Sequence, residues 1–105
     1  MTVNNKSFWV FAYRHEGEYV PEEIVGAPED RFANLEYGDV KEGSYQLWEY
    51  PSGKIFNIAP DRELGKDEDY YATPYNNKGS VWLPKLVEVG VDQDRVAKAY
   101  SGLKV

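Results

Sequence analysis

The sequence contains no cysteine and a single histidine, which removes several classes of site at the outset. Without thiols the chain has no disulfide framework, no zinc–thiolate site and no cysteine nucleophile. His15 lies between Arg14 and Glu16 in a charged segment, where a histidine is usually solvated. A zinc ion there would need carboxylates as its remaining ligands. We therefore predict no catalytic residue, no metal site and no cofactor.

Long apolar runs and complete phosphate-binding motifs are also missing. The longest apolar stretches fall far short of the ~18 residues that a membrane-spanning helix needs. Residues 1–7 are mostly polar and do not resemble an export signal. Gly38 and Gly43 have the glycine spacing of a phosphate-binding loop, but Ser44 and Tyr45 follow where lysine and a hydroxyl residue are required. The short apolar runs and the polar N-terminal segment favour a cytoplasmic chain without membrane contact.

Basic residues are outnumbered by acidic ones, 12 to 18, which gives a formal net charge of −6. Net acidity opposes direct nucleic-acid binding, because such binding relies on neutralising phosphates, and it opposes docking to anionic membranes. It permits binding to a basic protein. A charge of this size is also common in small soluble domains, so solubility alone is the competing explanation.

The acidic residues concentrate in two segments. Nine carboxylates lie within residues 16–42, where only Arg31 and Lys41 oppose them. The second segment, residues 61–69, does not fit an EF-hand, because Ala72 stands where that loop needs a glutamate. A solvated loop is the simpler explanation for the second segment, and a cation site of another geometry is the alternative.

Short β-rich segments separated by turns dominate the chain. Residues 7–14 are dense in aromatic and β-branched side chains, which predicts a buried, central strand. Segment 19–25 contains Pro21, which favours a sheet edge or a turn. Segments 44–50 and 54–58 flank a Pro-Ser-Gly turn, as the strands of a hairpin do. Both faces of that hairpin carry apolar residues, so either both are covered or one exposes aromatics.

Further strands and two short helices complete the prediction. Segments 69–75 and 80–91 are β-rich. One helix is predicted over residues 28–35 and another over 93–100, the second capped by Asp92 and ended by Gly102. The residues expected to pack inward from the helices are Phe32, Leu35, Val96 and Tyr100.

These elements predict one domain over residues 1–105 with an α+β fold. Most connections are too short for parallel crossovers. We expect a small, mostly antiparallel, strongly bent sheet of about five short strands with one or two short helices, including a C-terminal helix.

Aromatic residues make up 15% of the chain and include nine tyrosines. Tyrosine and tryptophan are enriched in interfaces because each buries a large area with few rotatable bonds. They also serve as half-buried filler in small β domains. Combined with the acidic segments, they give a predicted partner-binding set. The set comprises Glu18, Glu22, Glu23, Glu29, Asp30, Trp48, Tyr50, Asp67, Glu68, Asp69, Tyr70, Tyr71 and Tyr75.

Three functions compete on this basis. The favoured one is a non-enzymatic, acidic protein-binding module that inhibits a basic or nucleic-acid-binding protein, by analogy in size and charge with immunity or phage anti-defence proteins. The alternative is a small-ligand or carbohydrate-binding domain whose exposed aromatics stack on a sugar, with Trp48, Tyr71 and Trp82 as candidates. An enzyme has the weakest support. A homodimer could also cover the apolar residues that lie on both faces of the hairpin formed by segments 44–50 and 54–58.

Overall fold

A five-stranded antiparallel sheet organises the chain, with the strands in the order β2-β1-β3-β4-β5. The computed structural model describes residues 7–32, 35, 40, 43–60 and 84–104. The elements are β1 (Phe8–His15), β2 (Glu18–Val25), α1 (Pro28–Phe32), β3 (Tyr45–Tyr50), β4 (Lys54–Pro60), β5 (Pro84–Val91) and α2 (Gln93–Lys104). The sheet is open, and the predicted α+β fold with a C-terminal helix is confirmed.

Strand β1 lies inside the sheet because both of its sides are paired. Its Val10 is opposite Ile24 of β2 and Trp48 of β3, and both pairings are antiparallel. Val10, Phe11 and Ala12 are all fully buried, although successive side chains of a strand point to opposite faces. Both faces of β1 are therefore covered, as its continuous apolar sequence predicts.

One face of the sheet, here called the connector face, packs against residues of the connection between α1 and β3. Its buried cluster consists of Phe11, Leu35, Val40, Leu47 and Ile58. Leu35 and Val40 come from the connection and the other three from the sheet. Phe32 packs against the same cluster, so the predicted inward packing of Phe32 and Leu35 is confirmed.

The opposite face, here called the helix face, packs against α2. Its buried cluster consists of Val10, Ala12, Trp48, Ile55 and Val96. Tyr100 of α2 stacks on Tyr50 of β3 with ring centroids 4.1 Å apart and an interplanar angle of 7°. The inward packing predicted for Val96 and Tyr100 is thus confirmed. Both faces of the β3–β4 hairpin are covered from within the chain.

The turn between β3 and β4 connects the hairpin to α2. Gly53 is buried at a φ of +86°, which favours glycine, and its carbonyl accepts a hydrogen bond from the Asp92 amide at 2.8 Å. The Gly53 amide donates to the Glu49 carbonyl at 2.8 Å, which closes the turn. The turn and the start of the helix therefore hold each other in place.

Helix α2 begins where the sequence predicts and continues further than expected. The Asp92 side chain accepts a hydrogen bond from the Arg95 amide at 3.0 Å, which confirms the predicted cap. The prediction that Gly102 ends the helix is wrong, because α2 continues to Lys104. A glycine inside a helix costs about 1 kcal/mol relative to alanine. Leu103 packs against the helix-face cluster, and burial of its side chain offsets that cost.

Helix α1 is shorter than predicted. It covers Pro28–Phe32 and stops before Leu35. The Leu35 amide donates to the Phe32 carbonyl at 3.0 Å, a bond between residues three apart and not the four of an α-helix. Leu35 still reaches the connector-face core, so the packing prediction survives the change in helix length.

The two outer strands are β2 and β5. Pro21 lies in β2, an edge strand, as predicted, and the β1 register shifts there so that Phe11 is opposite Glu23 and Ala12 opposite Pro21. Strand β5 begins at Pro84. The predicted strand 69–75 and the first part of the predicted strand 80–91 lie outside the described residues.

Candidate functional site

The acidic members of the predicted set that the structure describes lie along one border of the molecule. Helix α1 follows β2 after only two residues. All five of these carboxylates are exposed, and together they are here called the acidic edge. The acidic edge consists of Glu18, Glu22 and Glu23 of β2 and Glu29 and Asp30 of α1.

Arg31 ties α1 to β2 within the acidic edge. Its Nε donates to Glu23 Oε2 at 2.7 Å, and a terminal nitrogen lies 3.7 Å from Glu22 Oε1. Its guanidinium carbon lies 4.9 Å from the centroid of the Phe11 ring, and the side chain is only 21% exposed. One guanidinium group thus forms ion pairs with two carboxylates. Among the described residues Glu29 and Asp30 have no ion-pair partner, so the acidic edge keeps an excess of negative charge.

The two aromatic residues of the predicted set that the structure describes are less accessible than expected. Trp48 is 1% exposed within the helix-face core, so the expectation of an exposed Trp48 ring is wrong. Its Nε1–H donates to Gln46 Oε1 at 2.9 Å, and Tyr50 is half-buried in its stack on Tyr100. The physical reason is α2, which covers this face. A partner-binding role for either residue stays a prediction.

The other predicted candidates lie outside the described residues. They are Asp67, Glu68, Asp69, Tyr70, Tyr71 and Tyr75 of the partner-binding set, and Trp82 of the sugar-binding alternative. Their roles stay predictions.

His15 ends β1 at an exposed hairpin turn. Its Nε2 lies 3.6 Å from Glu16 Oε2, and both side chains are largely in solvent. Glu16 has a φ of 53° and Gly17 a φ of +86°, the left-handed backbone of a tight turn. The pair is a surface contact beside a turn. Within the described ranges, no three carboxylate or imidazole groups come together as metal ligands would.

A cleft of about 640 Å³ opens between α2 and the edge of the sheet. Its volume lies within the range typical of small-molecule sites. Four of its residues come from the β1–β2 turn and β2, namely Gly17, Glu18, Tyr19 and Pro21. The others are Trp48 of β3 and Arg95, Lys98 and Ala99 of α2.

Internal contacts hold two cleft residues in place. The Tyr19 hydroxyl donates to the Gly43 carbonyl, which anchors the Tyr19 side chain beside β3. The guanidinium carbon of Arg95 lies 5.6 Å from the centroid of the Trp48 ring, and Arg95 Nε lies 3.6 Å from Asp92 Oδ2. A cation–π contact and an ion pair therefore restrain Arg95 at the cleft.

Lys98 differs from Arg95 in having no such restraint. It is exposed, and no carboxylate of the described residues lies within ion-pair distance of its ammonium group. Two cations therefore face one cleft in a chain whose net charge is −6.

No known protein family, curated protein or solved structure matches this chain. In the part of the chain that the structure describes, no helix combines the length and apolarity needed to cross a bilayer.

Sequence reasoning missed the cleft, although one signal pointed to it. Arg95 and Lys98 are three residues apart, and Ala99 is four residues after Arg95, so all three share one side of the predicted C-terminal helix. The sequence did not show which residues of the sheet lie opposite that side of the helix. Only the packing of α2 across the sheet brings Tyr19 and Pro21 to the same cleft.

Proposed function

We propose that the protein is a non-enzymatic binding module whose acidic edge docks on a basic surface of a partner protein and inhibits that partner. A partner that binds nucleic acid is the natural class, because its phosphate-binding surface is basic. The proposed compartment is the cytoplasm, because a fold that uses no cysteine does not depend on the oxidising conditions in which disulfides form.

The observation that carries this proposal is the excess charge of the acidic edge. Glu29 and Asp30 stand exposed in α1, and Arg31 is already engaged by Glu22 and Glu23. A cation supplied by a partner would therefore meet carboxylates that are not neutralised within the described structure. Complementary charge of this kind raises association rates and suppresses wrong partners.

The position of the acidic edge also supports docking. It combines an outer strand of the sheet with a short helix that Arg31 fixes against that strand. Interfaces between proteins that change little on binding use such preformed surfaces. The described structure offers less support for stacking of a sugar on exposed aromatics, because the Trp48 ring is buried.

The proposal is tested by affinity capture from native-host lysate with three matched baits, followed by mass spectrometry. The baits are the wild-type chain, a Glu29→Lys/Asp30→Lys variant, and a Glu88→Lys/Asp94→Lys control. The control makes the same change in net charge at exposed residues of β5 and α2. We expect a basic protein that the wild type and the control retain and that the α1 variant loses.

Salt provides the second arm of the test. Exposed charge contacts are screened over about 8 Å at physiological ionic strength and over about 3 Å at 1 M salt. Capture of the basic protein should therefore weaken as salt is raised, and the purified partner should lose activity when wild-type chain is added. Equal capture by all three baits, or capture that salt leaves unchanged, would contradict docking through the acidic edge.

A further inference from the structure

The cleft between α2 and β2 has the features of a small-molecule site. Its volume of about 640 Å³ exceeds that of a single ring compound, and it combines apolar surface with a few charged groups. Binding sites for small ligands have this composition, with apolar lining for affinity and a few polar groups for orientation. Pro21 and Ala99 contribute aliphatic surface, and Tyr19 contributes a ring.

Two cations face the cleft, and one of them suits a single negative charge. Lys98 has no carboxylate of the described residues within ion-pair distance, whereas Arg95 pairs with Asp92 and Glu18 is itself anionic. Arg95 is restrained by Trp48 and Asp92, while its terminal nitrogens make no hydrogen bond to the described residues. A guanidinium held in this way presents paired donors that suit a carboxylate.

The uncharged residues indicate what the carboxylate should carry. Tyr19 is anchored through its hydroxyl, and Pro21 lies two residues further along β2. An anchored tyrosine ring packs well against a flat ring, and a guanidinium also stacks on aromatic rings. Glu18 opposes ligands with two negative charges, since like charges in one cleft repel.

We propose that this cleft is a binding site for a small monocarboxylate that carries a flat ring. The cleft shares Glu18 with the acidic edge, but Glu29 and Asp30, whose unpaired charge carries the docking proposal, do not line it. Either proposal can therefore fail while the other holds.

Three probes separate the features that the site requires. Benzoate has the ring and the charge, benzamide has the ring without the charge, and acetate has the charge without the ring. Each is titrated into the full ¹⁵N-labelled chain, with the amides of Tyr19 and Ala99 and the Trp48 indole N–H as reporters. We expect benzoate to shift these signals with a dissociation constant on the order of 1 mM, and the other two probes to bind roughly tenfold more weakly.

Two lysine variants complete the experiment. Lys98→Gln removes a cation of the cleft, whereas Lys85→Gln removes an exposed cation of β5 outside it. Both lysines are exposed, so both variants should keep the dispersed spectrum of the wild type. We expect Lys98→Gln to weaken benzoate roughly tenfold and Lys85→Gln to leave it unchanged. The proposal is overturned if benzoate shifts none of the reporters, if benzamide or acetate matches benzoate, or if the two variants behave alike.

Discussion

At the scale of single residues, two glycines with the same backbone conformation have different surroundings. Gly17 and Gly53 both have a φ of +86°. A Cβ at Gly17 would have open space around it, whereas a Cβ at Gly53 would lie 2.6 Å from the Gln93 Cα. The sequence marks both as turn glycines. The sequence does not show that Gly53, and not Gly17, lies in close contact with the backbone of α2.

Replacement of these glycines by alanine separates backbone strain from steric overlap. We expect Gly17→Ala to lower the free energy of unfolding by about 1–2 kcal/mol, the cost of a left-handed backbone. Gly53→Ala should lower it by about 2–5 kcal/mol, because the same cost is joined by overlap with the start of α2. Urea denaturation of both variants measures the difference. Equal losses would contradict a steric overlap between a Cβ at position 53 and the start of α2.

The N-cap of α2 offers a second test at one residue. Asp92 Oδ1 accepts the Arg95 amide, while the Asp92–Arg95 ion pair is half exposed and should contribute little. We therefore expect Asp92→Ala to cost about 1 kcal/mol in unfolding free energy and Asp92→Asn, which keeps an acceptor oxygen, to cost much less. If Asn destabilised the protein as much as Ala, the charge would matter more than the cap. Urea denaturation again provides the measurement.

At the scale of elements, the sequence predicted the features that are determined by residues close together in the chain. Pro21 identified an edge strand, the Pro-Ser-Gly turn identified the β3–β4 hairpin, and Asp92 identified the start of α2. The sequence did not predict the ends of the helices: α1 covers Pro28–Phe32 although Leu35 still packs in the connector-face core, and α2 continues to Lys104, where Leu103 packs against the helix-face cluster. The burial of Trp48 and the cleft beside it also depend on packing between elements distant in sequence. Local patterns carry no information about such contacts.

The contact between α2 and β3 is tested by a double-mutant cycle on Tyr50 and Tyr100. Their stacked rings should be coupled by about 0.5–1.5 kcal/mol beyond the area that each buries. We would measure unfolding free energies of Tyr50→Leu, Tyr100→Leu and the double variant. The matched control pairs Tyr100 with Tyr45, which packs on the opposite face of the sheet, and its coupling should be near zero. A coupling near zero in the Tyr50 pair as well would show that the stack adds nothing to packing.

At the scale of the whole molecule, the two hydrophobic clusters are built on the same strands. Strand β1 supplies Phe11 to the connector face and Val10 to the helix face, and β3 supplies Leu47 and Trp48 in the same way. Neither cluster can be lost without removing packing from strands that support the other. This arrangement favours one cooperative unfolding transition for the described sheet and α2, although the clusters lie on opposite faces.

Cooperativity across the sheet can be measured with one truncation on each face. We expect Leu47→Ala to cost about 2–5 kcal/mol, and Val96→Ala somewhat less because a smaller side chain is truncated. Urea transitions followed separately at the amide signals of α2 and of β1 should coincide in both variants. The double variant should lose close to the sum of the single losses, because Leu47 and Val96 belong to different clusters. If Val96→Ala instead lost the α2 signals at lower urea than the β1 signals, the sheet would be stable without α2, and the cleft would exist only while the helix stays packed on the sheet.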